Sequence, residues 1–168
     1  MGLMIHQATI ADYDALHGVR MAVRENKLSD PSKVTFKDYA SMLEGQGKGW
    51  VCEDDGRIAG FAIADLQTAS IWALFVLPDS EGRGVGKLLH HTMLEWCFEK
   101  ARLPGLRLST DPGTRAEAFY RRAGWQAAGA EANGEIRFVL TKQQWLKQRR
   151  RENNPLKNSG GGSLKEGS

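Results

Sequence analysis

Glycine occupies every second position in Gly82-Arg83-Gly84-Val85-Gly86, inside the stretch SEGRGVGKLL of residues 80–89, and an apolar helical pattern follows at once. A glycine-rich turn that opens a helix leaves backbone N–H groups without intrahelical acceptors. It also turns the positive end of the helix dipole outward, which suits a phosphate or pyrophosphate. Arg83 and Lys87 add charge at the rim. Two nucleotide-binding patterns fail on spacing. A P-loop needs a glycine five residues before Gly86, where Glu81 stands, and a hydroxyl after Lys87, where Leu88 stands. The dinucleotide fingerprint needs its third glycine where Lys87 falls. Taken alone, the stretch reads equally as an exposed turn whose glycines adopt positive φ.

The elements around it alternate between periods of 2 and 3.6. Met4–Ile10 alternates as a strand, and Thr9-Ile-Ala-Asp12 is a start signal for a helix through Leu16 to about Arg24. Glu25–Lys33 is polar with an Asp30-Pro31 turn, and Phe36–Leu43 reads as a short second helix. Gly49–Glu53 and Arg57–Asp65 are strands joined by Asp54-Asp55-Gly56, a hairpin signal. Ile71–Leu77 is a continuous apolar run, predicting a strand covered on both faces.

Past the glycines, Val85, Leu88, Leu89, Thr92, Met93, Trp96 and Cys97 form one helical stripe, closed by Pro104-Gly105. Leu106–Thr110 is a short strand, and Thr114-Arg-Ala-Glu117 opens a helix with Ala116, Phe119, Tyr120 and Ala123 on one side. Trp125–Ala130 and Glu135–Thr141 form a last hairpin around Asn133-Gly134. The order predicts an α/β fold: a mixed, mostly antiparallel twisted sheet of about seven strands flanked by four helices. Residues 1–145 form a single domain in this reading. Residues 146–168, basic and then Gly/Ser-rich, read as a disordered tail.

Composition removes several classes. The chain has 168 residues with Lys+Arg 23 against Asp+Glu 20, a net charge of +3 too mild to favour nucleic acid as a partner. Its two cysteines, Cys52 and Cys97, show no metal-ligand spacing and point to a reducing, cytoplasmic setting. No apolar run is long enough for a membrane helix, and no metal site is expected. His90 and His91, adjacent on a helix, point about 100° apart and do not share an ion.

Two patterns in order, Glu81-Gly82-Arg83-Gly84-Val85-Gly86 and Gly113-Thr-Arg-Ala116-Glu-Ala-Phe119-Tyr120-Arg-Arg-Ala-Gly124-Trp125, resemble the motifs of the GNAT superfamily of acyl-CoA-dependent N-acyltransferases. The resemblance extends to about Thr141. It implies transfer of an acetyl group from acetyl-CoA to a primary amine by direct transfer, without metal or covalent intermediate. The alternative of another class is a catalytically weak acyl-CoA-binding regulatory module. The acceptor is a small-molecule or peptide amine, and a homodimer is compatible with the resemblance.

Within it, Arg83, Gly84, Val85, Gly86 and Lys87 hold the CoA pyrophosphate on their amides. The amide near Phe75 or Val76 meets the thioester carbonyl, and Tyr120 is the general acid. Glu81 and Gly113 depart from the family pattern, which has Gln or Arg and Asn there. The carboxylate of Glu81 is expected to turn to solvent. Gly113 offers no side chain toward the pantetheine arm, so Ser109 or Thr110 is expected to supply that polar group. An amine of pKa about 10.4 is protonated at pH 7 by about 4.6 kcal/mol, so a proton acceptor matters. Glu25 is the candidate base, with Asp65 and Glu135 as rivals and His90 or His91 behind them.

Overall fold

Alternating apolar residues begin the chain as β1 (Leu3–Gln7), which pairs antiparallel with β2 (Gly47–Asp54). The Asp55-Gly56 signal then turns β2 into β3 (Arg57–Asp65). Both residues take positive φ, 55° and 84°, the geometry of the tight hairpin turn that matches strand twist. Asp65 folds the next turn, accepting from the amides of Gln67 and Thr68, and returns the chain as β4 (Ser70–Val76), antiparallel to β3. The computed structural model describes residues 2–23 and 34–153, in two compact units that meet in sequence at Leu103 and Pro104.

In the first unit the helices cover this meander. Thr9 and Asp12 cap each other's backbone ahead of a short 3-10 turn and α1 (Tyr13–Ala22). Thr35 and Asp38 do the same for α2 (Phe36–Ser41), which widens into a π turn over Met42–Gln46. Leu16, Val19 and Tyr39 from these helices form a core with Val51, Phe61, Ile63 and Ala73.

The alternate residues of β3 are small. A Cβ added at Gly60 would stand 2.9 Å from Val85 and 3.2 Å from Leu89, so α3 (Val85–Glu95) lies directly on that face. Of the expected stripe on this helix, Val85, Leu89 and Met93 are buried, with Cys97 continuing the row in the π turn that follows. The strand covered on both faces is β3, buried from Ala59 to Asp65. β4, for which that was expected, is half-buried except at Ala73, because its large rings crowd around one cation instead of a second layer.

In the second unit β5 (Gly105–Thr110) leads to α4 (Arg115–Arg122), β6 (Gln126–Ala130) and β7 (Ile136–Thr141), with β5 and β6 both antiparallel to β7. The architecture is mixed α/β with seven strands and mostly antiparallel pairing, as expected. The described residues hold five α-helices instead of four, because Lys142–Glu152 forms α5 where a tail was expected from residue 146.

The cause is a capping box, Thr141 with Gln144, and a single apolar anchor, Trp145, 4% exposed. One buried tryptophan, with the adjacent half-buried Leu146 the only other apolar residue of the helix, gives no periodic signal. The rest of the expected tail, from residue 154, lies outside the described residues. Removing the anchor leaves a cavity the polar helix cannot fill. Trp145→Ala is expected to cost about 3–5 kcal/mol in denaturant unfolding, against less than about 0.5 for Lys147→Ala on the same helix.

Candidate active site

β4 ends at Val76, Pro78–Ser80 makes one 3-10 turn, and the glycine stretch then enters α3. Gly82 and Gly84 lie at φ of 82° and 89°, with Gly84 as the N-cap, and nothing stands within 4 Å of a Cβ at either. The glycines are therefore demanded by backbone conformation, and the space beside them is open. Among the described residues, no amide from Gly82 through Lys87 donates to a backbone carbonyl; the ladder starts at Leu88, which donates to Gly84 at 3.0 Å. This row of free donors at the positive end of an eleven-residue helix fits a pyrophosphate.

Arg83 is committed elsewhere. Its Nε donates to Asp54 Oδ2 at 2.6 Å and its Nη2 to Oδ1 at 3.3 Å, tying the turn to the end of β2 and leaving Lys87 as the rim cation. Glu81 is exposed, in keeping with a carboxylate turned toward solvent.

The end of β4 aims a further amide away from β3. Leu77 N–H donates to Ala59 at 2.8 Å, and N–H directions alternate along an antiparallel strand, so the Val76 amide points to the edge that β3 does not use. Of the expected pair, Val76 carries the outward amide and Phe75 pairs with Phe61. Past the strand end an open cleft of about 590 Å³ is lined by Met21, Ala22, Leu77 and Pro78 with the Arg57–Asp79 ion pair.

A cluster that sequence reasoning missed faces the same strand. The pairing of β3 with β4 slips by one residue between Ile63 and Ala64, which leaves Trp72 as an extra residue. Trp72 and Phe75, three apart, would face opposite ways in a regular strand. Here the Arg20 guanidinium of α1 lies 5.0 Å from one ring centroid and 4.7 Å from the other, and 5.8 Å from Tyr39. The signal that could have marked Arg20 is its place four residues after Leu16, on the apolar side of α1 with Tyr13, Leu16 and Val19, where a charged side chain is out of pattern.

In the second unit, Thr114 caps α4 by accepting from the Glu117 amide, and Glu117 in turn accepts from the Gly113 amide at 2.7 Å. Gly113 takes φ of 77°, so a residue tolerant of that region is required whether or not it offers a side-chain contact. Tyr120 is 6% exposed, packed against Phe119, Trp125 and Phe138, and burial raises its pKa well above the usual phenol value.

Ser109 donates to Glu131 at 2.7 Å, and Arg137 closes that network, holding Glu131 down to about 2. Ser109's proton is therefore spent within the fold, while Thr110 has no such bond among the described residues. Asp111, next in sequence, keeps a buried Oδ1 without a partner among the described residues.

The rival bases have other work. Asp65 accepts from Gln46 at 2.9 Å as well as from its own turn, and it is buried as a structural carboxylate. Glu135 is held by the Asn133 side chain in the last hairpin turn. His90 is driven by burial down to about 4 and stays neutral at pH 7. Glu25 lies outside the described residues.

A model described as the acetyltransferase (GNAT) family matches residues 13–125. No curated protein matches the sequence. Among solved structures, the chain is similar to PaiA N-acetyltransferase from Thermoplasma acidophilum in complex with coenzyme A, at TM-score 0.72 and 15% identity over 84% of this chain and 99% of that one. It is similar to the ribosomal-protein-S18-alanine N-acetyltransferase of Escherichia coli, at 0.65 and 21% over 82% and 90%. It also resembles a spermidine/spermine N-acetyltransferase, SpeG, from Vibrio cholerae, at 0.67 and 14% over 88% and 98%.

The left-handed N-cap gives the glycine turn a direct test. A β-branched residue there costs about 1–2 kcal/mol of strain that only a changed turn relieves. Gly84→Val is expected to raise the acetyl-CoA dissociation constant by about tenfold or more, equivalent to about 1.4 kcal/mol. The melting temperature should fall by only a few degrees, and unchanged affinity in calorimetry would remove the turn from the binding site.

Proposed function

This chain belongs to the acetyltransferase (GNAT) family, whose model spans residues 13–125, and we propose on that premise which of its residues carry the reaction. The protein is an acyl-CoA-dependent N-acetyltransferase that moves an acetyl group from acetyl-CoA to an amine. The observation that carries our assignment is the run of amides from Gly82 to Lys87 without backbone acceptors, opening α3 directly after β4. These amides and Lys87 bind the pyrophosphate. Arg83 contributes its amide while its side chain holds the turn, and Gly84, Val85 and Gly86 contribute backbone alone. The family model continues across residue 103, which supports reading residues 1–145 as one acetyltransferase domain.

The reaction is a direct transfer. The free amine attacks the thioester carbon, the C–S bond breaks, and the departing thiolate takes a proton. The outward Val76 amide donates to the carbonyl oxygen as negative charge develops on it, with Phe75 holding the strand edge in place. Tyr120 donates the proton to sulfur. Its burial keeps the phenol protonated, so the donor is present across the neutral range. Thr110, with Ser109 behind it, lines the pantetheine arm. Glu25 accepts the proton that the ammonium form must lose. The buried free thiols of Cys52 and Cys97 support a reducing, cytoplasmic setting.

Tyr120→Phe is expected to lower kcat by about 10²-fold or more while leaving acetyl-CoA affinity unchanged. Free-thiol release from acetyl-CoA with a panel of amines measures it. Tight acetyl-CoA binding with no thiol released from any amine would reduce the protein to a binding module. The pH profile has a definite sign. A phenol whose pKa is raised stays protonated to higher pH, so kcat/KM should climb with amine deprotonation and show no falling limb from Tyr120 below about pH 10.

A further inference from the structure

We propose that Arg20 recognises the acceptor and that the acceptor is an amine bearing a carboxylate, of amino-acid type. The inference rests on the acetyltransferase reading and adds the substrate class to it.

Arg20 is 6% exposed, on the last turn of α1, with its guanidinium against the rings of Tyr39, Trp72 and Phe75. The ring faces stabilise its charge but accept none of its in-plane N–H bonds. Among the described residues, no carboxylate pairs with it and its Nε has no acceptor. A buried cation without an anion is costly, and an apolar side chain of similar size would pack the same space better.

Two neighbours share the deficit: His17 Nδ1 and the Tyr39 hydroxyl are also buried without partners among the described residues, with their rings 6.1 Å apart. A guanidinium fork, a phenol that burial keeps protonated and an imidazole nitrogen match the oxygens of one carboxylate.

The position suits an acceptor. Phe75, 4.7 Å from the guanidinium, directly precedes Val76, whose amide points to the strand edge. Met21 and Ala22, which come after Arg20, line the open cleft together with Leu77 and Pro78. A ligand anchored by its carboxylate at Arg20 carries its amine toward that strand end. A polycation would meet like charge there, so the acceptor named for the spermidine enzyme of similar fold is not carried over.

The test compares L-amino acids with their C-terminal amides and with spermidine, using acetyl-CoA and free-thiol release. We expect kcat/KM for an acid to exceed that for its amide by about 10- to 100-fold, the range of one charged hydrogen-bonded contact. Arg20→Gln should erase that ratio by raising KM for the acid, with the amide changed by less than about threefold. Arg20→Lys, which keeps the charge but loses the fork, should retain part of it.

Equal rates on acid and amide, a preference for spermidine, or a uniform loss on both substrates in Arg20→Gln would overturn the proposal and leave the acetyltransferase reading standing. If no amine releases thiol, that reading fails separately, and calorimetry with N-acetyl-L-amino acids decides the present one. Binding to the wild type that weakens about tenfold or more in Arg20→Gln supports it, and no binding overturns it. Should Arg20→Gln fail to fold, the acid-to-amide ratio of the wild type is the deciding measurement.

Discussion

Between Ile63 and Ala64 the pairing of β3 with β4 slips by one residue, and the extra residue on β4 is Trp72. Side-chain direction in a strand has period 2, so one inserted residue exchanges the two faces beyond it. Trp72 and Phe75 thereby come to one cation from positions that would otherwise diverge. The same register fixes which amides point away from β3. With Leu77 bonded to Ala59, the Val76 amide faces away from β3, one step before the chain leaves the sheet. The ring cluster around Arg20 and the outward amide at the strand end are thus two consequences of a single register.

Beyond β4 the backbone continues this supply of donors. Left-handed glycines let the chain enter α3 without spending its first amides, and the helix dipole adds to their positive potential. The helix itself is seated on the small face of β3. Gly60 admits Val85 and Leu89 so closely that any side chain there would displace them. Arg83 and Asp54 brace the turn from the side. The glycine turn is therefore rigid for reasons of packing, with its donors left over from helix geometry instead of being built from dedicated side chains.

The second unit sets a buried phenol behind a short chain of caps. Thr114, Glu117 and Gly113 close the start of α4, and Arg121 accompanies Glu117 on the next turn, at 2.8 Å. This fixes the helix that presents Tyr120 to its aromatic neighbours. The unit is completed by α5, whose one fully buried anchor, Trp145, offsets a mostly polar sequence. Both features are local in construction, yet only the caps show in the linear pattern. Local rules carry far in this chain because many of its boundaries are set by a few neighbouring residues. Asp55-Gly56 turns as its composition requires, Thr35 and Thr114 cap the helices after them, and β3 has the bounds its pattern predicts. The glycine turn and the Tyr120 frame are legible for the same reason, since backbone donors and helix spacing are properties of short segments. The fifth helix is not, because one tryptophan makes no period.

The partners of Arg20 are equally hidden. Helical spacing from Leu16 places it on the core side of α1, but the rings that surround it come from α2 and β4, at residues 39, 72 and 75. Asp65 and Ser109 show the converse, candidates by type whose hydrogen bonds are already taken within the fold. Sequence alone thus determined where amides are released and which element comes after each turn, both local matters of backbone geometry. Tertiary structure decided which polar atoms are satisfied, because a hydrogen-bond partner or a covering ring arrives from a distant part of the chain.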